Sequence, residues 1–133
     1  MAPNERKFQK SYAPELLRLA EADLKVAQVL ASASGVRGES TLFAVQQAVE
    51  KAIKAVLCHE ERAIPLTHDI YAILQKLDQA HLPPGDYALN DLTPYATVRR
   101  YEEGIFVISP EEIQTAIDAG SAVLIWAKKR IHG

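Results

Sequence analysis

Apolar residues return at steps of three and four along most of this chain, and four stretches hold that rhythm long enough to predict amphipathic helices. The first covers about 14–33. Pro14 marks its first turn, where a missing N–H costs nothing, and Leu17, Ala20, Leu24, Ala27 and Ala31 form its apolar face. Gly35 and Gly38 then break the pattern. The second helix covers about 39–59, with Leu42, Val45, Val49, Ile53 and Val56 inward. The third starts at Thr67, whose hydroxyl suits an N-cap, carries Ile70, Ile73, Leu74 and Leu77, and runs to about Ala80 before Pro83-Pro84-Gly85. The fourth has the strongest start signal, Ser109-Pro110-Glu111-Glu112, a capping box with proline at the first helical position. Ile113, Ala116, Ile117, Gly120, Leu124, Ala127 and Ile131 follow on one side, and Gly120 there predicts a close helix–helix approach.

Between the third and fourth helices the rhythm weakens. Leu89, Leu92 and Tyr95 predict a short extra helical turn, with Thr93 capping Pro94. Residues 105–108, Ile-Phe-Val-Ile, are too short and isolated for a sheet and predict an extended segment before the last helix. The fold class is therefore all-α, an antiparallel up-down four-helix bundle over 14–133, preceded by a flexible N-terminal segment, 1–13.

Composition narrows the class. A chain of 133 residues with 48% hydrophobic and 24% charged content suits one globular domain. A net charge of −2 argues against a dedicated basic nucleic-acid platform while leaving room for a local patch. The single cysteine, Cys58, sits in an apolar helical stretch and reads as a small buried hydrophobe. No apolar run approaches the roughly 20 residues that span a bilayer, and the first ten residues lack a signal-peptide core, so a cytoplasmic protein without a membrane partner is expected. The four histidines lie in different elements without metal-ligand spacing, so neither metal nor cofactor is expected.

The candidate chemistry lies on a second stripe of the second helix: Phe43, Gln47, Glu50 and Lys54. In an antiparallel bundle that stripe approaches the start of the third helix, so Glu50 and Lys54 are expected to face His68 or Arg100-Tyr101. Glu50 and Lys54 could equally be an ordinary i,i+4 pair. His68 is the candidate proton-transfer or ligand-contacting group, or a histidine that stabilises its loop. Gln47, Tyr95, Arg99, Arg100 and Tyr101 complete the ligand-binding candidates, with the arginines suited to phosphate and the rings to a base, or the whole segment serving as an anchor. Ala122, Val123, Ile125 and Trp126 widen the apolar face of the fourth helix, which makes either a thicker core or a partner interface, and the second reading predicts a homodimer contact there.

Ala20-x-x-Asp23-Leu24-x-x-Ala27, Phe43-x-x-Gln46-Gln47-Ala-x-Glu50-Lys51-Ala-x-Lys54-Ala, Pro65-x-Thr67-His68-Asp69-Ile70, Leu92-x-x-Tyr95 and Arg100-Tyr101 occur in this order. Together they resemble the HEPN family, small helical proteins named for nucleotide binding in higher eukaryotes and prokaryotes. The resemblance implies a helical bundle, usually dimeric, often encoded beside a minimal nucleotidyltransferase in a toxin–antitoxin-like pair. Many members are metal-independent ribonucleases with a histidine four to six residues after an arginine. This chain departs from that pattern, because no histidine follows Arg99 or Arg100 in that window. The expected function is a HEPN protein acting with a nucleotidyltransferase, as toxin or substrate-binding subunit. A free-standing nucleotide-binding module and a ribonuclease using His68 on an RNA ligand are the alternatives.

Overall fold

The computed structural model describes residues 4–97 and 108–133. Three long helices form the body: α1 (Ala13–Ser32), α2 (Gly38–His59) and, after a short α3 (Ile70–Leu74), α4 (Pro110–His132). The short connection 33–37 turns α2 back along α1, where Lys51 meets Asp23, and α4 also runs antiparallel to α1, Gly120 lying against Leu24 and Lys128 meeting Glu21 further along. The fourth side of the bundle is a composite of α3 and an eleven-residue 3-10 segment, Asp86–Ala96. The molecule is an all-α bundle whose only described sheet is a two-stranded ladder.

α2 is the central element, in contact with α1, α4, α3 and the 3-10 segment. The expected stripe Val45, Val49, Ile53 and Val56 is fully buried, and so are Ala48, Ala52 and Ala55 beside it. A helix walled in on nearly every side must be apolar or internally paired nearly all round, and this one is. Ile53, Leu57, Ile70, Ile73 and Leu74 are fully buried, each contributing about 1.5–3 kcal/mol of transfer free energy.

α4 starts as its sequence predicts, with Ser109 Oγ accepting from the Glu112 amide at 3.1 Å. Ser109→Ala is expected to cost about 1 kcal/mol, read as a lower denaturant midpoint at unchanged m-value. On its outer side Val123 is core and Trp126 packs half-buried against the core, while Ile125 remains 55% exposed.

The third helix departs from expectation at both ends. Asp69, not Thr67, is its N-cap, and Thr67 Oγ1 instead accepts from the Asp69 amide. Side chains of the 3-10 segment share the capping: the Tyr71 amide donates to Asp69 and Asn90, and the Ile70 amide donates to Thr93 Oγ1. After Leu74 the chain tightens into i,i+3 turns, the Lys76 amide donating to the Ile73 carbonyl and the Leu77 amide to the Leu74 carbonyl. Gln79 Nε2 donates to the Leu74 and Leu77 carbonyls, and Asp78 captures the Ala80 amide. Thr93 thus caps α3 rather than Pro94, which lies inside the continuous 3-10 segment.

Ahead of α1, where the sequence suggests a loose lead-in, β1 (Glu5–Arg6) pairs antiparallel with β2 (Ile64–Pro65), Glu5 opposite Pro65 and Arg6 opposite Ile64. The Leu66 amide donates to the Asn4 carbonyl, Lys76 meets Glu5 at 2.8 Å, and a 3-10 turn, Lys10–Tyr12, leads into α1. Of the expected extended segment, residues 105–107 lie outside the described residues; Ile108 packs against Gly38 at the start of α2.

Candidate functional site

Gln46, Glu50 and Lys54 are four residues apart in turn, so their side chains line up along one edge of α2. The connection from β2 to α3 passes over that edge and adds His68 and the carbonyl of Thr67. Glu50 Oε1 accepts from Gln46 Nε2 at 2.9 Å and pairs with His68 Nδ1 at 2.9 Å. Its other oxygen accepts from Lys54 Nζ at 2.8 Å. Lys54 also donates to the Thr67 carbonyl at 3.2 Å, and Gln46 to the His68 carbonyl at 3.3 Å. Gln47 Nε2 donates to Gln46 Oε1, extending the network by one amide.

Glu50 is 4% exposed. Burial pushes its carboxyl pKa up, but the Lys54 hydrogen bond and charge, with the His68 and Gln46 bonds, outweigh burial and hold it below the ordinary value. An ionised carboxylate facing Nδ1 calls for a proton on that nitrogen. The neutral ring is then fixed as the tautomer whose other nitrogen, Nε2, is a free acceptor, and Nε2 has no partner among the described residues. The His68 side chain is 58% exposed, so a positioned acceptor stands at the surface over a buried carboxylate. That arrangement can accept a proton from, or hydrogen-bond, a hydroxyl or amide brought to it. Lys54 is different: its ammonium is committed to Glu50 and its side chain is only 16% exposed, so it neutralises the carboxylate rather than offering charge to a phosphate.

The eight sequence candidates therefore separate. Gln47, Glu50, Lys54 and His68 come together. Tyr95 instead lines a groove of about 520 Å³ between the 3-10 segment and the first turns of α4, walled by Leu42, Leu89, Leu92 and Ala116 and rimmed by Glu111 and Glu112. Arg99, Arg100 and Tyr101 lie outside the described residues. Gln46, wholly buried at the centre of the network, was not among the candidates, although its i,i+4 spacing to Glu50 is the same signal that ties Glu50 to Lys54. His68 also lies one residue ahead of the α3 N-cap, not inside a first helical turn.

Among the described residues no group of three histidine, cysteine or acidic side chains is placed to hold a metal ion, and no helix is long and apolar enough to cross a membrane. Cys58 is buried, donates to the Gln9 carbonyl and has its thiol pKa pushed up by burial, which suits a packing role.

Comparison with known proteins bears on the same fold. A search of the curated proteins gives no match. The crystal structure of TT1696 from Thermus thermophilus is similar, with a TM-score of 0.74 and 23% sequence identity over 90% of this chain and 98% of that one, a likeness of fold. The family model of the HEPN domain matches residues 13–131, from the first residue of α1 to the penultimate residue of α4. The chain thus belongs to the HEPN domain family.

Proposed function

We propose that this chain acts with a minimal nucleotidyltransferase, as the toxin of a toxin–antitoxin-like pair or as that enzyme's substrate-binding subunit, and that His68 is its principal polar contact. The observation that carries the reading is the network just described. Gln46, Glu50, Lys54 and His68, residues through which the sequence resembles the HEPN family, converge on one spot and leave the His68 Nε2 acceptor at the surface without a partner among the described residues. The same reading includes a cytoplasmic homodimer joined through α4, where exposed Ile125 lies beside half-buried Trp126.

Co-expression with a minimal nucleotidyltransferase from the same genome, followed by size-exclusion chromatography with light scattering and intact-mass measurement, tests it. A stable complex or a covalently modified chain is expected, together with growth inhibition that the partner relieves. The absence of both complex and modification would overturn the reading. His68→Ala is expected to cost only about 1 kcal/mol of stability, since it removes one half-exposed hydrogen bond, while abolishing growth inhibition.

A second reading, a metal-independent ribonuclease, is favoured by one feature: a carboxylate-backed imidazole with its outer nitrogen free. His68→Ala with unchanged RNA cleavage and unchanged growth inhibition would sink it. A free-standing nucleotide site built on Lys54 is less well supported, because Glu50 already holds that ammonium.

A further inference from the structure

The N-terminal segment carries a feature that the Glu50–His68 site does not use. From the last residue of β1 to the start of α1 the sequence runs Arg6-Lys7-Phe8-Gln9-Lys10-Ser11-Tyr12, with three cations and no carboxylate. Its rings are ordered: Phe8 and Tyr12 stack with centroids 5.7 Å apart and planes 16° from parallel, and the Arg6 guanidinium lies over the Phe8 ring at 4.8 Å. Phe8 packs against the core, whereas Tyr12 is 40% exposed. A depression of about 590 Å³ is lined by Arg6, Lys7, Phe8, Gln9, Ser11 and Tyr12.

The charges are arranged as unevenly as the rings. The flanking carboxylates are already neutralised, Glu5 by Lys76 and Glu15 by Arg18. At the adjoining end of α2, Glu60 is held between Arg62 and Arg130. Lys7 and Lys10 are exposed and meet no carboxylate among the described residues. In a chain of net charge −2, the three cations Arg6, Lys7 and Lys10 thus outnumber the exposed carboxylate at the adjoining end of α2, Glu61. The segment is also preorganised, since the β1–β2 ladder fixes one end, α1 the other, and Cys58 Sγ holds the Gln9 carbonyl between them.

We infer that this ledge binds single-stranded nucleic acid, a base stacking on Tyr12 and the flanking phosphates meeting Lys7, Lys10 and Arg6. Stacked rings alone would suit any flat apolar ligand, and free lysines alone any polyanion. A strand of bases alternating with phosphates uses both kinds of group in one short segment, and base-on-ring stacking with cationic backbone tracking is how sequence-tolerant single-strand sites work. The inference is independent of the nucleotidyltransferase reading, so failure to find that complex leaves it untouched.

Fluorescence anisotropy with a short labelled oligouridylate, the matching oligothymidylate and heparin as a comparison polyanion tests it on the full chain, with thermal melts checking that each variant folds. Binding that weakens with salt is expected, with Lys7→Ala and Lys10→Ala each lowering the salt slope by about 0.7. Tyr12→Ala should weaken the oligonucleotides about tenfold at unchanged slope and leave heparin unaffected. Equal binding of both strands would assign recognition to base and phosphate, and a preference for RNA would add its 2′-hydroxyl; both support the inference. Absence of salt-dependent binding by the unaltered chain at low ionic strength would overturn it. So would a Tyr12→Ala variant that binds oligonucleotide and heparin as the unaltered chain does.

Discussion

Glu50→Ala is expected to destabilise the fold by about 3–5 kcal/mol, the loss typical when one partner of a buried ion pair is removed. The carboxylate is the acceptor for Gln46, Lys54 and His68 together. Without it the Lys54 ammonium keeps only the Thr67 carbonyl, inside a wall that leaves its side chain 16% exposed. Most of the cost is that stranded charge rather than the worth of the pair itself. Glu50→Leu combined with Lys54→Met should therefore cost clearly less than Glu50→Leu alone, because both charges leave together. Equilibrium denaturation of the two single variants and the double variant gives the coupling. A double variant as unstable as the sum of the singles would mean the pair is not energetically linked.

The acid dependence follows with a definite sign. The folded pKa of Glu50 lies below its ordinary value of about 4.5, so its contribution is fully present above that value and is lost as pH falls through the folded one. Glu50→Gln should flatten this part of the stability–pH profile below about 4.5 and leave the profile near neutrality without added slope.

Gly120→Leu is expected to cost about 3 kcal/mol, by overpacking rather than by lost contact. A Cβ at Gly120 would stand 3.1 Å from Leu24 Cδ1 and 3.4 Å from Val45 Cγ1, where α1, α2 and α4 converge. Gly120→Ala asks only that the end of Leu24 give a few tenths of an ångström, and the roughly 1 kcal/mol gained in helix propensity offsets that, so its net change should be near zero. The three further carbons of leucine have no such room. A lowered midpoint at constant m-value for Leu, beside an unchanged one for Ala, is the signature; equal effects of Ala and Leu would mean the three helices do not meet there.

The three long helices were legible because each keeps its period over five turns or more, and the Ser109-Pro110 start of α4 is local chemistry that needs no tertiary partner. The third helix was legible only as a helix. Its ends are held by Gln79 and Asp78 taking the backbone groups of the next turn and by Asn90 and Thr93 arriving from a later segment, and neither leaves a periodic trace. β1 was invisible for a similar reason, since a two-residue ladder has no alternation to read and its partner lies beyond α2. At the site, i,i+4 spacing found Glu50 and Lys54, and the antiparallel return brought His68 beside them. Gln46 is hidden in the sequence because Val45 and Val49 place its neighbourhood in the core, where an amide is unexpected unless a buried carboxylate accepts from it.

The β1–β2 ladder has a consequence for the order in which the chain is built. Glu5 and Pro65 stand at the outer ends of the stretch that holds α1 and α2, so their pairing closes a long loop for a ladder of only two residue pairs. Such a closure gains little until the loop is already shortened, because the entropy lost in joining distant ends comes before any contact repays it. The α1–α2 hairpin, with its short connection, therefore forms first and brings the ends together. The ladder is then the last part to close and the first to open, and the Leu66 amide bonded to Asn4 should exchange its hydrogen well before the amides of α2.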